Sequence, residues 1–241
     1  MYFDFNLPYT KNDAKNPNRL RLILARYSEL AESVVALNYT TDQCTPEQTL
    51  TIQPISTSDI NHPVVQLTRL TLEVDEPVSK EDIVALRSKY QLIAIRTSNP
   101  RVFEEACSSY DIDIISLDSS KRLTFRLDPL LVQQAMARGV YFELCYSHGI
   151  RDDTKRAYVL QTSKELIRVT GGDHFIVSSE AFDVSNIRSS FDIVYLLKAL
   201  GLPNDKAKFA TGKNGEALIK RLRKRQNNEI QVDNQMLVDS T

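Results

Sequence analysis

Short apolar runs alternate with longer amphipathic stretches along most of this 241-residue chain. Several of the short runs are apolar without a break, which is typical of strands buried on both faces of a parallel sheet. The pattern predicts strands at residues 2–5, 34–37, 66–74, 91–96, 112–117, 123–127, 140–146 and 175–177. Alternation of about eight strands with helices predicts βαβ units and a parallel sheet. The number and length of these units favour an α/β fold of the TIM-like (β/α) barrel type over an open sheet.

Capping residues mark where several helices begin and end. Ser79 and Asp82 form a capping-box pattern, and Asn99 and Asp128 each precede a proline suited to the first helical position. Gly139 stands where a helix ending near residue 138 needs a left-handed residue. The predicted helices cover residues 19–32, 79–89, 99 onward, 128–138, 151–170, 190–200, 204 onward and 215–225.

The chain is predicted to divide near its C-terminal end. Residues 1–215 are expected to form the barrel domain with its additional C-terminal helices. Residues 216–241 are expected to form a basic helix and then a disordered tail, because the sequence after residue 226 is polar. Residues 40–63 are rich in Thr, Pro, Ser and Gln and are predicted to form a long loop.

Composition narrows the possible functions. The formal net charge of −1 gives no global attraction to nucleic acid, so any RNA contact must come from a local basic patch. The three cysteines have no zinc-site or disulfide spacing, which favours reduced thiols in a reducing compartment. No apolar run approaches the roughly 18 residues that a membrane span needs, and no secretory signal is recognisable. With seven glycines there is no glycine-rich phosphate loop. A cytosolic or nuclear protein without a membrane partner is expected.

A metal centre is one hypothesis for the barrel mouth, where functional side chains of such folds lie. Asp4, Glu143 and His148 could at best supply three ligands. The chain has only three histidines and no HxH or HExxH pattern. The alternative is that these residues are polar groups satisfied by the protein itself. A metal-dependent phosphoesterase therefore remains an alternative function, and a small-molecule barrel enzyme a third.

Two basic clusters offer another kind of site. Arginine and lysine bind phosphates without needing sequence-specific contacts. The alternative is a solvated helix face balanced by nearby acids. The first cluster consists of Arg151, Lys155 and Arg156, and the second of Lys220, Arg221, Arg223, Lys224 and Arg225.

Several stretches, in a fixed order, resemble one family. The strongest reads RGVYFELCYS at 138–147 and continues with IRD at 150–152. The others are TRLTL at 68–72, DIDII at 111–115, VSS at 177–179 followed by IR at 187–188, and FDFN at 3–6. Together these segments, within residues 1–215, resemble the thirty-kilodalton protein subunit of eukaryotic and archaeal ribonuclease P.

The resemblance implies a modified TIM barrel related to polymerase-and-histidinol-phosphatase metalloenzymes. Those relatives carry an HxH near the first strand, where this chain reads FDFN, so no metal site, cofactor or catalytic residue is expected in the protein. The implied role is to bind the RNA subunit of ribonuclease P or ribonuclease MRP in the nucleus and nucleolus.

In that role the RNA subunit holds the magnesium ions and cleaves precursor tRNA to give its mature 5′ end. The protein is expected to contact precursor tRNA only indirectly. Ribosomal RNA processing, a small α/β protein subunit and other protein subunits are also implied. The residues predicted to contact RNA or a partner are Arg69, Arg138, Arg151, Lys155, Arg156, Ser178, Ser179, Arg188, Arg221 and Arg223.

Overall fold

Seven parallel strands form one sheet that curls into a nearly closed barrel. The computed structural model describes residues 1–31, 33–57 and 60–239, with side chains described as far as residue 227. Each strand pairs with the next one along the chain, from first to last. The strands are β1 Tyr2–Pro8, β2 Ser33–Thr41, β3 Val64–Glu73, β4 Leu92–Arg96, β5 Ile114–Ser116, β6 Tyr141–Cys145 and β7 Phe175–Ser178. The predicted TIM-like barrel class is confirmed.

Helices connect most of the strands and extend past the last one. They are α1 Asn18–Leu30, α2 Lys80–Arg87, α3 Pro100–Ser108, α4 Pro129–Ala137, α5 His148–Arg151, α6 Asp153–Thr170, α7 Ser190–Ala199, α8 Asn204–Thr211 and α9 Lys213–Asp239. The predicted caps are confirmed: Ser79, Asn99 and Asp128 each accept a backbone N–H of the helix that follows. Gly139 has a φ of 80°, as its place after α4 requires. No helix among the described residues is long and apolar enough to cross a membrane.

The predicted strand at 123–127 is wrong. β5 pairs directly with β6, Ile114 opposite Tyr141, so the sheet has no free edge there to accept another strand. The alternating apolar residues face a helix instead: the ring centroid of Phe125 lies 5.2 Å from that of Phe103 on α3. Period-two alternation marks one buried face, and an irregular segment lying over a helix satisfies it as well as a strand does.

The barrel closes between β1 and β7 without a strand ladder among the described residues. Instead, the backbone N–H of Phe5 donates to Ser178 Oγ at 3.2 Å. The N–H of Glu180 donates to the carbonyl of Asn6 at 2.9 Å. Side chains thus take over part of the hydrogen bonding that an eighth strand would provide.

Two apolar layers hold the fold together. The larger lies between the sheet and its helices. The smaller fills the amino-terminal half of the barrel interior and consists of Phe3, Phe5, Val34, Ala36, Leu67, Leu92, Ala94, Ile114, Tyr141, Ile176, Leu218 and Leu222. Leu218 and Leu222 belong to α9, so this helix closes the amino-terminal end of the barrel. Gly215 permits the close approach, because a Cβ there would lie 2.6 Å from the Phe3 ring.

α9 is longer than the sequence predicted. The expected helix ended at residue 225, followed by disorder, whereas the structure continues it to Asp239. The reason is that no glycine or proline follows Gly215, so nothing in the polar stretch terminates the helix. Residues 240 and 241 lie outside the described residues.

Candidate functional site

A buried ion pair occupies the centre of the barrel. Arg69 on β3 and Glu143 on β6 both have fully buried side chains. Their contact is bidentate, with Nη1–Oε1 at 2.6 Å and Nη2–Oε2 at 2.8 Å. Burial pushes the pKa of Glu143 upward, but the charge of Arg69 and its hydrogen bonds outweigh burial, and the pKa is lowered. Glu143 is therefore held as a carboxylate.

Neutral polar groups satisfy the remaining atoms of this pair. Ser178 Oγ donates to Glu143 Oε1 at 2.7 Å, and Asn6 Nδ2 lies 3.4 Å from Oε2. Asn38 then donates to Asn6 Oδ1 at 2.8 Å. Arg69 donates further to the carbonyl of Phe5 at 2.7 Å. Since so many lone pairs and N–H groups are taken, this network serves as a polar core of the barrel.

Asp4 lies at the seam between β1 and β7. Its carboxylate accepts the backbone N–H of Ser179 at 3.1 Å and the hydroxyl of Tyr27 from α1. Burial raises the pKa of Asp4, although these hydrogen bonds oppose the shift. The same burial, with the neighbouring Asp4 charge, raises the pKa of Tyr27 well above its usual value. The seam therefore fastens β1, β7 and α1 together.

A second ion pair stands at the carboxyl-terminal mouth. Arg96 at the end of β4 donates to both carboxylate oxygens of Glu180, at 2.7 and 3.1 Å. His148 Nε2 lies 3.2 Å from Glu180 Oε2. Glu180 adopts a left-handed backbone with a φ of 53°, which is uncommon for residues other than glycine. Burial raises the pKa of Glu180, but Arg96 and His148 outweigh it and hold the pKa well below its usual range.

The groups considered for a metal centre all have protein partners. Asp4 is bound by Tyr27 and Ser179, Glu143 by Arg69, and His148 by Glu180. Among the side chains that the structure describes, which end at residue 227, no group of three or more His, Cys, Asp or Glu is placed to hold a metal ion. The two ion pairs and the hydrogen bonds of Asp4 therefore fix the positions of the strands and of the residues at the mouth.

Comparison with known proteins decides the family. The model of the family described as RNase P subunit p30 matches residues 1–227. The chain belongs to this family. The resemblance seen in the sequence motifs is thereby confirmed.

Similar proteins are found in distant organisms. Probable ribonuclease P protein subunit 3 of Schizosaccharomyces pombe is 26% identical over 220 residues, covering 91% of this chain and 92% of the relative. Protein GAMETOPHYTE DEFECTIVE 1 of Arabidopsis thaliana is 33% identical over 166 residues, covering 68% of this chain but 29% of the plant protein. A chain of an archaeal ribonuclease P cryo-EM structure with mature tRNA has the same fold, with a TM-score of 0.63 and 16% identity over 92% of this chain and 93% of that one.

Three of the residues predicted to contact RNA or a partner are buried in this p30-family chain. Arg69 and Ser179 have no exposed surface, and Ser178 is 1% exposed. Their polar groups face the barrel interior or its seam, and their contact with RNA or a partner stays a prediction. The motifs that contain them therefore contribute to the fold of the barrel.

Other predicted contact residues bind backbone carbonyls of the protein itself. Arg138 donates to the carbonyls of Cys107 at 2.8 Å and Tyr110 at the C-terminal end of α3. Arg221 donates to the carbonyl of Gly139, which fastens α9 to the barrel. These contacts give both arginines an intramolecular role, and their part in RNA binding stays a prediction.

Two further arginines of this kind are Arg156 on α6 and Arg188 in the loop before α7. Arg156 donates to the carbonyl of Gly149 at 2.8 Å, and Arg188 to that of Ser185 at 2.8 Å. Both keep some exposed surface. Their role in RNA or partner contact also stays a prediction.

The remaining predicted residues lie at the surface. Arg151 is exposed and lies 3.6 Å from Asp183, Lys155 is half-buried, and Arg223 is exposed.

Sequence reasoning missed Asp113, whose buried carboxylate binds Arg87 at 2.9 Å and Arg225 at 2.8 Å. The only sequence signal was its place in the DIDII segment.

Proposed function

We propose that this chain is a non-catalytic, RNA-binding protein subunit of the ribonuclease P and ribonuclease MRP ribonucleoproteins. The observation that carries the proposal is the match of residues 1–227 to the RNase P subunit p30 family. In this role the chain supports 5′ maturation of precursor tRNA and processing of ribosomal RNA, while the RNA subunit, with its magnesium ions, cleaves the substrate. A location in the nucleus and nucleolus belongs to the same proposal, as do a small α/β protein partner and other protein subunits.

The exposed half of the α9 basic cluster is the surface that supports RNA binding best. Lys220, Arg223 and Lys224 are exposed, and their spacing of three and four residues places them on one side of the helix. Arg221 and Arg225 point the other way and bind the barrel. A row of unburied cations on a nearly neutral chain attracts the phosphates of an RNA locally. Arg151 and Lys155 provide a second, smaller basic surface.

Recovery of the bound RNA tests the proposal. The tagged full chain is purified from cell extract, the associated RNA is sequenced, and the eluate is assayed for cleavage of precursor tRNA. We expect one structured RNA and 5′-processing activity that is lost on nuclease treatment. Cleavage of phosphoesters by the bare protein, abolished by a chelator, would instead support a metal-dependent phosphoesterase and overturn the proposal.

A matched pair of triple variants tests the α9 surface. The first is K220Q/R223Q/K224Q, and the control is K11Q/K80Q/R101Q, which removes three exposed cations from elsewhere in the chain. Binding to the recovered RNA is measured over a range of salt concentrations. We expect the slope of log affinity against log salt to fall by about 2–3 for the first variant only, roughly one unit per lost phosphate contact. Equal slopes for both variants would remove α9 from the interface.

A further inference from the structure

A cavity of about 260 Å³ opens beside Arg96 at the carboxyl-terminal mouth of the barrel. It lies where β3, β4 and β5 end, since Glu73 and Arg96 are the last residues of their strands and Leu117 follows β5. Barrels of this kind bind their ligands at this end of the sheet. The cavity is slightly smaller than the roughly 300–1,000 Å³ of drug-sized ligand sites, so it suits one small planar group.

The wall of the cavity contains an unsatisfied donor. Arg96 is 6% exposed, and its Nη atoms are held by Glu180 and by Ser116 at 3.1 Å. Its Nε is buried and has no hydrogen-bond partner among the described residues. Buried N–H groups are nearly always paired, and leaving one unpaired is costly. Because Arg96 lines the cavity, a small movement of its side chain would let a ligand acceptor reach this N–H while the Nη atoms stay paired with Glu180.

Two side chains at the rim are also available. Glu73 and Arg122 are exposed and make no hydrogen bond or ion pair within the part of the chain that the structure describes. Asp75, in contrast, accepts from Thr97 at 3.0 Å and from Ser98 at 2.7 Å. The rim thus offers one carboxylate and one guanidinium plane that hold no hydrogen bond among the described residues.

The charges of the cavity argue against a bare anion. Its lining carries three cations and three carboxylates, namely Arg96, Lys121, Arg122, Glu73, Asp75 and Asp118. A phosphate would find no surplus positive charge there. A nucleobase suits the lining better, because its edge presents hydrogen-bond acceptors and an amino donor side by side, and guanidinium planes stack on bases.

We propose that this cavity receives one unpaired nucleobase of an RNA. Arg96 Nε–H donates to an acceptor on the base edge, Glu73 accepts from the exocyclic amino group, and Arg122 stacks on the base plane. This assignment rests on the proposed RNA-binding function and adds a site at the end of the barrel opposite α9.

Mononucleotide titration of the purified full chain, followed by NMR, tests the site. The probes are AMP, GMP, CMP, UMP and ribose 5-phosphate. The first three carry an exocyclic amino group, UMP lacks one, and ribose 5-phosphate lacks the base altogether. We expect saturable binding of the amino-bearing nucleotides, with UMP several-fold weaker and ribose 5-phosphate at least about tenfold weaker. Equal binding of ribose 5-phosphate would mean a phosphate site and overturn the proposal, as would no binding at all.

Variants then assign the contacts. R122A should weaken nucleotide binding by about tenfold through lost stacking, and E73Q should reduce the preference over UMP. R101A removes an exposed arginine outside the cavity lining and should leave affinity within about twofold. R96K keeps a cation facing Glu180 while removing Nε–H, and should also cost about tenfold. Because R122A and E73Q change exposed residues, their result does not depend on whether R96K folds. Affinity reduced equally by R101A and R122A would exclude the cavity.

The outcome separates this proposal from the broader one. A chain that co-purifies with one structured RNA but binds no mononucleotide refutes the base site alone. A chain that binds mononucleotides at the cavity but recovers no RNA refutes the ribonucleoprotein role. In that case the cavity would belong to a free nucleotide, and the RNA base as its occupant would be refuted as well.

Discussion

The two ends of the barrel interior differ in chemistry although the same strands line both. At the amino-terminal end the inward residues are apolar, for example Leu67 on β3 and Tyr141 on β6, and α9 covers them with Leu218 and Leu222. Two residues further along β3 and β6, the inward positions hold Arg69 and Glu143. At the mouth, the cavity lining is charged and hydroxylated. The interior thus changes from an apolar layer to a polar network along each strand.

This difference teaches that the two ends are stabilised in different ways and that only the mouth keeps exposed polar groups. The amino-terminal end gains from burying apolar area, which needs no particular partner geometry. The polar half depends on complete pairing, because a buried charge that loses its partner is very costly. In this chain, apolar packing therefore holds the end that α9 closes, whereas paired charges hold the other half, which keeps Glu73 and Arg122 exposed at its rim.

Removal of Glu143 should cause the largest change. E143A leaves the guanidinium of Arg69 buried without its carboxylate, and loss of one partner of a buried pair costs about 3–5 kcal/mol. Unfolding in urea measures the free energy. The double variant R69M/E143L removes both charges and should lose clearly less stability. A double variant as unstable as E143A would mean that packing rather than charge accounts for the loss.

Shortening Leu222 should weaken the closed end by a somewhat smaller amount. L222A removes a side chain that is 3% exposed between α9 and the barrel, for a cost of about 3 kcal/mol. L22A is the matched control, because Leu22 on α1 is 65% exposed and should change the unfolding free energy by less than about 0.5 kcal/mol. A similar small loss for both variants would show that α9 does not seal the barrel.

The sequence predicted the strands better than the contacts between them. Seven of the eight predicted strands exist, because continuous apolar runs and helix caps are local signals. The pairing of Arg69 with Glu143 depends on sheet register across 74 residues, which no local pattern encodes. The role of α9 is equally non-local, since Leu218 and Leu222 indicate an amphipathic helix but not the surface that it covers. For the same reason the sequence alone did not indicate that Arg69 is buried inside the barrel.

Glu180 should make the open end sensitive to acid. Its pKa in the folded protein lies well below the value of about 4.3 in an unfolded chain, so it stabilises the fold above that pH. This contribution is lost as the pH falls from about 4.3 towards the folded pKa. At pH 7, E180Q should lower the unfolding free energy by about 2 kcal/mol. Measured between pH 3 and 7, the difference between wild type and E180Q should shrink on acidification; a constant difference would contradict this account.

Arg225 offers the finest test, because it asks whether the closed end relies on apolar contacts alone. Burial pushes the pKa of Asp113 upward, but the charges of Arg87 and Arg225 outweigh it and lower the pKa. In R225A, Asp113 keeps its 2.9 Å contact with Arg87. The free energy of unfolding should therefore fall by about 1 kcal/mol, which is less than the loss expected for a buried charge without any partner.

The control for this test is R223A on the same helix. Arg223 is exposed, so its removal should change the unfolding free energy by less than about 0.5 kcal/mol. If R225A is as harmless as R223A, the amino-terminal end is sealed by Leu218 and Leu222 without help from charge. If R225A costs clearly more, the contrast between the two ends is one of degree. Each end would then use a buried carboxylate, with apolar packing providing the larger share of stability at the end that α9 covers.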